Sequence, residues 1–68
     1  MKKVGILGSG IVAKVLATGF LKHGYEVMIG TRDPNKLVDW QKQNTTGKVG
    51  SFWDAALFGN TVVLAVKG

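Results

Sequence analysis

The sequence predicts an α/β fold built on a parallel sheet, and three observations carry that expectation. A short apolar run, Val4 to Leu7, leads directly into Gly8-Ser9-Gly10-Ile11-Val12-Ala13 and then into an apolar stretch of helical length. Two later runs, Glu26 to Gly30 and Thr61 to Val66, have the continuous apolar character of strands covered on both faces. Between the runs lie segments with helix start and stop signals, so strand and helix alternate along the chain.

The first strand, Val4 to Leu7, must turn at once into a helix, and Gly8 can take backbone angles closed to residues with a Cβ. Gly10 leaves room for a diphosphate to approach the backbone, where the free N–H groups and the positive dipole end of the new helix would meet it. Ala13 stands in the third glycine's place and still permits close packing of helix on strand. The pattern is G-x-G-x-x-A, a variant of the dinucleotide fingerprint. By itself a glycine-rich hexapeptide is equally a tight strand-to-helix turn, so the elements around it have to decide.

From Ile11 to His23 the spacing predicts a helix whose polar residues Lys14, Thr18 and Lys22 form one narrow stripe, with the remaining surface covered as in a crossover helix on a sheet. Gly19 inside it points to close packing against a neighbouring backbone. His23 and then Gly24 make a helix C-terminus, at the end of the sheet away from any cofactor.

Glu26 to Gly30 is the second strand, and Thr31-Arg32 follows its carboxyl end. An NAD-preferring fold places an acid there, whereas an NADP-preferring fold places an arginine to accept the 2′-phosphate. Arg32 offers a planar, bidentate donor, Thr31 a further hydroxyl, and Lys36 a point charge from the first turn of the next helix. Asp33 precedes Pro34 and is read as the cap of that helix, not as a ribose-binding acid. The sequence therefore predicts NADP as the cofactor.

Pro34 to Gln43 is the second helix, with Leu37, Trp40, Val38 and Gln41 turned inward, and Asn44 to Gly47 is a loop. Lys48 to Gly50 is a very short third strand. Ser51 with Asp54 forms a capping-box-like start for a helix from Phe52 to Phe58, ended by Gly59-Asn60. Thr61 to Val66, β-branched and apolar on both faces, reads as a buried parallel strand. The order βαβαβαβ with right-handed crossovers gives a Rossmann-type sheet ordered 3-2-1-4. Strand 4 would then lie at an open edge against its own composition. The expectation is that residues 1–68 are the N-terminal part of a larger doubly wound domain, with self-association into a homo-oligomer as the other way to complete the sheet.

Composition bounds the rest. The chain has 68 residues, no cysteine, 46% hydrophobic residues and a formal net charge of +5. That is one domain, too small to carry a substrate pocket of its own beside a cofactor site. Disulfides, metal–thiolate sites and a thiol nucleophile are excluded. The Met1-Lys2-Lys3 start is read as cytoplasmic, because the Gly turn breaks the apolar run needed for a signal peptide and no stretch spans a membrane. The nine Lys and Arg suit an anionic ligand; scattered along the chain, they form no nucleic-acid-binding stripe.

Val4-Gly5-Ile6-Leu7-Gly8-Ser9-Gly10, His23-Gly24-Tyr25-Glu26-Val27 and Ile29-Gly30-Thr31-Arg32 together resemble the NADP-binding domain of oxidoreductases related to coenzyme F-420 (deazaflavin) NADP reductase. The resemblance covers essentially the whole chain. It implies that Thr31, Arg32 and Lys36 hold the adenosine 2′-phosphate. It also implies that Gly8, Ser9, Gly10, Ile11 and Val12 form the diphosphate turn, with Ala65, Val66 and Lys67 as backbone neighbours of the nicotinamide ribose. Pyrroline-carboxylate reductases, metalloreductases and hydroxyacid dehydrogenases have similar openings. The implied activity is hydride transfer between NADP(H) and an acceptor, a deazaflavin being one candidate. The acceptor stays open, no catalytic acid or base is nominated, and a non-catalytic NADP-binding module is the alternative.

Overall fold

The computed structural model of the chain describes residues 2–8 and 10–65. Strands β1 (Lys3–Leu7), β2 (Glu26–Gly30), β3 (Lys48–Gly50) and β4 (Thr61–Leu64) form one parallel sheet in the order β3-β2-β1-β4. Helices α1 (Ile11–Lys22), α2 (Val38–Gln43) and α3 (Phe52–Phe58) alternate with them, and a 3₁₀ turn at Pro34–Leu37 leads into α2. This is the Rossmann-type order the sequence predicts.

Pleat alternation divides the strands between two faces. Val4 and Ile6 of β1 and Val27 and Ile29 of β2 point to one side and are buried with Ala13 and Ala17 of α1, Leu37 and Trp40. Each fully buried aliphatic side chain there contributes roughly 1.5–3 kcal/mol. On the opposite face, glycines replace side chains. A Cβ on Gly5 would run into the carbonyl of Ala55 in α3, and one on Gly30 would come within 2.8 Å of the Ala55 Cβ and of the Ser51 carbonyl oxygen. Helix α3 therefore lies directly on the backbones of β1 and β2.

Helix ends follow the sequence signals closely. Ser51 and Asp54 form a reciprocal capping box, with the Asp54 amide donating to Ser51 Oγ at 3.0 Å and the Ser51 amide to Asp54 Oδ2 at 3.3 Å. His23 closes α1, and Gly24 follows with φ +82°, the left-handed conformation that favours glycine. His23 lies two residues before Tyr25-Glu26, at the amino ends of the strands.

Several expectations are corrected. The apolar surface of α1 is covered only in part: Ala13 and Ala17 are fully buried and Leu16, Phe20 and Leu21 pack against the core, while Ile11 is 80% and Val15 63% exposed, because no described element covers that flank of the helix. Thr18 lies in line with Lys14 and Lys22 along one surface groove, as predicted, and also joins the packing; it accepts a hydrogen bond from Trp40 Nε1 at 3.1 Å and donates to the Lys14 carbonyl at 2.8 Å, tying α1 to α2. Val38 and Gln41 are exposed, since the 3₁₀ turn shifts the phase of the helix so that only Leu37 and Trp40 face the core. Strand β4 is not a buried strand. As the sheet edge it pairs only with β1, leaving Val62 and Leu64 exposed, with Val63 half-buried. The predicted extension of this strand to Val66 lies outside the described residues.

Gly19 is the remaining correction. An added Cβ there would meet nothing within 4 Å, so no close backbone approach explains it. Gly19→Ala is accordingly expected to stabilise the fold by up to about 1 kcal/mol through helix propensity, read as a higher urea midpoint with an unchanged slope. A lower midpoint would mean that this face is covered after all.

Candidate functional site

The register of the sheet brings three separate turns to one edge. Leu7 aligns with Gly30 and with Leu64, so the strands end together. Backbone pairing continues one step beyond each strand: the Gly8 amide donates to the Gly30 carbonyl at 2.9 Å, Thr31 to Gly50 at 2.9 Å, and Ala65 to Leu7 at 2.8 Å. The turn after β1, the loop after β2 and the exit of β4 are thereby fixed side by side at the carboxyl ends of the strands. In open α/β sheets this edge is where ligands bind.

Gly8 has φ +141°, a conformation that a side chain rarely allows, and it makes the bend. Gly10 is the N-cap of α1, with ordinary extended angles and nothing within 4 Å of where a Cβ would project. A methyl there would thus meet no steric barrier from the fold, and Gly10 itself lines the site. Among the described residues no side chain caps α1, and its first turn contains no acidic residue. The 3₁₀ turn at Pro34–Leu37 and helix α3 begin differently: Asp33 accepts from the Asn35 amide at 3.2 Å, and α3 has its capping box. The mouth of α1 leaves its N–H groups and positive dipole end for something outside the chain.

These elements line a cleft of about 830 Å³. The strand order sets Gly8, Gly10, Ile11 and Val12 in the middle, with Thr31, Arg32 and Lys36 after β2 as the polar end and Ala65 after β4 as the far end. Eight residues singled out from the sequence are thus gathered around one space. Ser9, Val66 and Lys67 lie outside the described residues. Thr31 is buried, and its hydroxyl accepts the Asp33 amide at 3.1 Å, which leaves its own proton to be donated. Arg32 and Lys36 are exposed, their charged groups free to turn toward the cleft. Asp33 lines the cleft as well, with Oδ1 engaged in the cap that the Asp-Pro pair predicts.

Two lining residues escape the sequence reading. Phe52 opens α3, and its ring stands under Arg32 with the guanidinium carbon 5.6 Å from the centroid; Leu64 ends β4 and is 70% exposed at the opposite end of the cleft. The strand order 3-2-1-4 was the available signal for both, because it sets the residues after β3 beside those after β2, and the end of β4 beside the glycine turn.

Among the described residues no helix is long and apolar enough to cross a membrane. A comparison with curated proteins finds no match. A comparison with family models matches residues 3–68 to the family described as NADP oxidoreductase coenzyme F420-dependent. With that match spanning nearly the whole chain, on a Rossmann-type sheet of the order 3-2-1-4, the chain belongs to the coenzyme F420-dependent NADP oxidoreductase family.

Proposed function

We propose that the cleft binds NADP(H) and that the chain is the cofactor-binding part of an oxidoreductase. The observation that carries this reading is the pairing, in one cleft, of an uncapped helix mouth behind an open Gly10 with the Thr31–Arg32–Lys36 group at the end of β2. The α1 amides take the diphosphate, and Arg32, Lys36 and Thr31 take the 2′-phosphate. Ala65 lies at the nicotinamide end, where Val66 and Lys67 follow in sequence. Bound there, the nicotinamide supplies the hydride chemistry. The large cleft side chains outside the polar end and Phe52, which are Ile11, Val12 and Leu64, are apolar, and their part is to orient the nicotinamide half of the nucleotide. The family description favours a deazaflavin as the acceptor.

Titration calorimetry tests the binding mode. Wild-type protein is expected to bind NADPH at least about tenfold more tightly than NADH, the difference expected for a well-made charged hydrogen bond. Gly10→Ala is expected to stay folded, losing at most about 1 kcal/mol at the N-cap because Ala adopts the same backbone angles in open space, while losing about tenfold or more in affinity for both nucleotides. Unchanged affinity in that variant would remove the diphosphate from the mouth of α1. NADPH oxidation by a deazaflavin, measured on a protein that joins this cleft to an acceptor-binding domain, tests the hydride step; binding without oxidation there would leave a cofactor-binding module.

A further inference from the structure

We propose that Phe52 is a positioning residue for Arg32, and that the aromatic face at the start of α3 thereby sets how strongly the cleft prefers a nucleotide bearing a 2′-phosphate. The proposal rests on the reading of Arg32 as the 2′-phosphate contact. The Arg32 guanidinium carbon lies 5.6 Å from the Phe52 ring centroid, within the range of cation–π attraction, and both residues line the same cleft.

The two partners differ in how firmly they are held. Arg32 is exposed on the loop after β2, and its rotamer-rich side chain must be ordered before it can present a flat fork to a phosphate. Phe52 is half-buried as the first residue of a helix whose start is locked by the Ser51–Asp54 box and whose body lies on the glycine backbones of β1 and β2. The ring is the fixed member and the guanidinium the mobile one. Sheet pairing keeps them adjacent, since Gly30 aligns with Gly50 and the Thr31 amide donates to the Gly50 carbonyl at 2.9 Å. A leucine at position 52 would fill similar space without a π face, so the aromatic identity is what the proposal assigns to selectivity.

The test compares affinities for NADPH and NADH, with adenosine 2′,5′-bisphosphate as a probe lacking the nicotinamide. Phe52→Leu is expected to lower the NADPH-over-NADH ratio by about three- to fivefold, Phe52→Tyr to restore it, and the bisphosphate to follow NADPH. In an Arg32→Leu background, Phe52→Leu is expected to leave the ratio where it stands. An unchanged ratio in Phe52→Leu overturns the proposal. So does an equal drop in the Arg32→Leu background, or parallel losses for both nucleotides, which would mark a purely structural role. Should Phe52→Leu fail to fold, Phe52→Met serves the same comparison. If Arg32→Leu alone leaves the ratio unchanged, the 2′-phosphate reading itself fails, an outcome that the single variant separates from a failure confined to Phe52.

Discussion

Arg32→Glu is expected to weaken NADPH by about two orders of magnitude while leaving NADH within about threefold of wild type. Hydrogen bonds to a charged group contribute roughly 1.5–3 kcal/mol, and the substitution both removes the bidentate donor and sets a carboxylate against a dianionic phosphate. Arg32 is exposed and sits at the polar end of the cleft, away from the mouth of α1, so its loss leaves the diphosphate contacts intact. Lys36 is an exposed point charge, and its replacement by Ala should weaken NADPH less. Calorimetry with both nucleotides checks this, and raised salt should narrow the difference. Equal losses for NADPH and NADH would place Arg32 outside any 2′-phosphate contact.

Gly5→Ala is expected to destabilise the fold by about 3 kcal/mol, at the upper end of the cost of overpacking, because the new methyl would meet the backbone carbonyl of Ala55, not a side chain that can rotate away. For a chain of 68 residues that is a large share of a total stability of only a few kcal/mol. Urea unfolding measures it. Trimming Ala55 to Gly should not rescue this variant, since the offending atom is a carbonyl oxygen. The same trimming should partly rescue Gly30→Ala, whose methyl meets the Ala55 Cβ at 2.8 Å. A Gly5→Ala protein as stable as wild type would mean that α3 does not rest on β1 in solution.

Most of the fold was legible because its signals are local. The bend at Gly8, the Asp33-Pro34 cap, the Ser51–Asp54 box and the His23-Gly24 stop each act within four residues, and the observed elements begin or end at them. The strand order followed from right-handed crossovers, short connections and the Rossmann-type order that the glycine turn after β1 implies. What misled was treating apolar character as burial. Val62 and Leu64 of β4, and Ile11 and Val15 of α1, look like core residues in the sequence but stand on surfaces that no described element covers. Periodicity reports which residues share a face, not whether a neighbour exists to bury it.

The sequence by itself determined the alternation of strands and helices, the glycine turn, and the basic group after β2, because each is set by backbone sterics or by residues adjacent along the chain. Only the tertiary structure decided that Gly5 and Gly30 carry α3, that Thr18 anchors Trp40, and that Phe52 stands under Arg32. Those relations join residues between 20 and 50 positions apart. They arise from the register of four strands and the height at which a helix rides on the sheet, which no local pattern encodes.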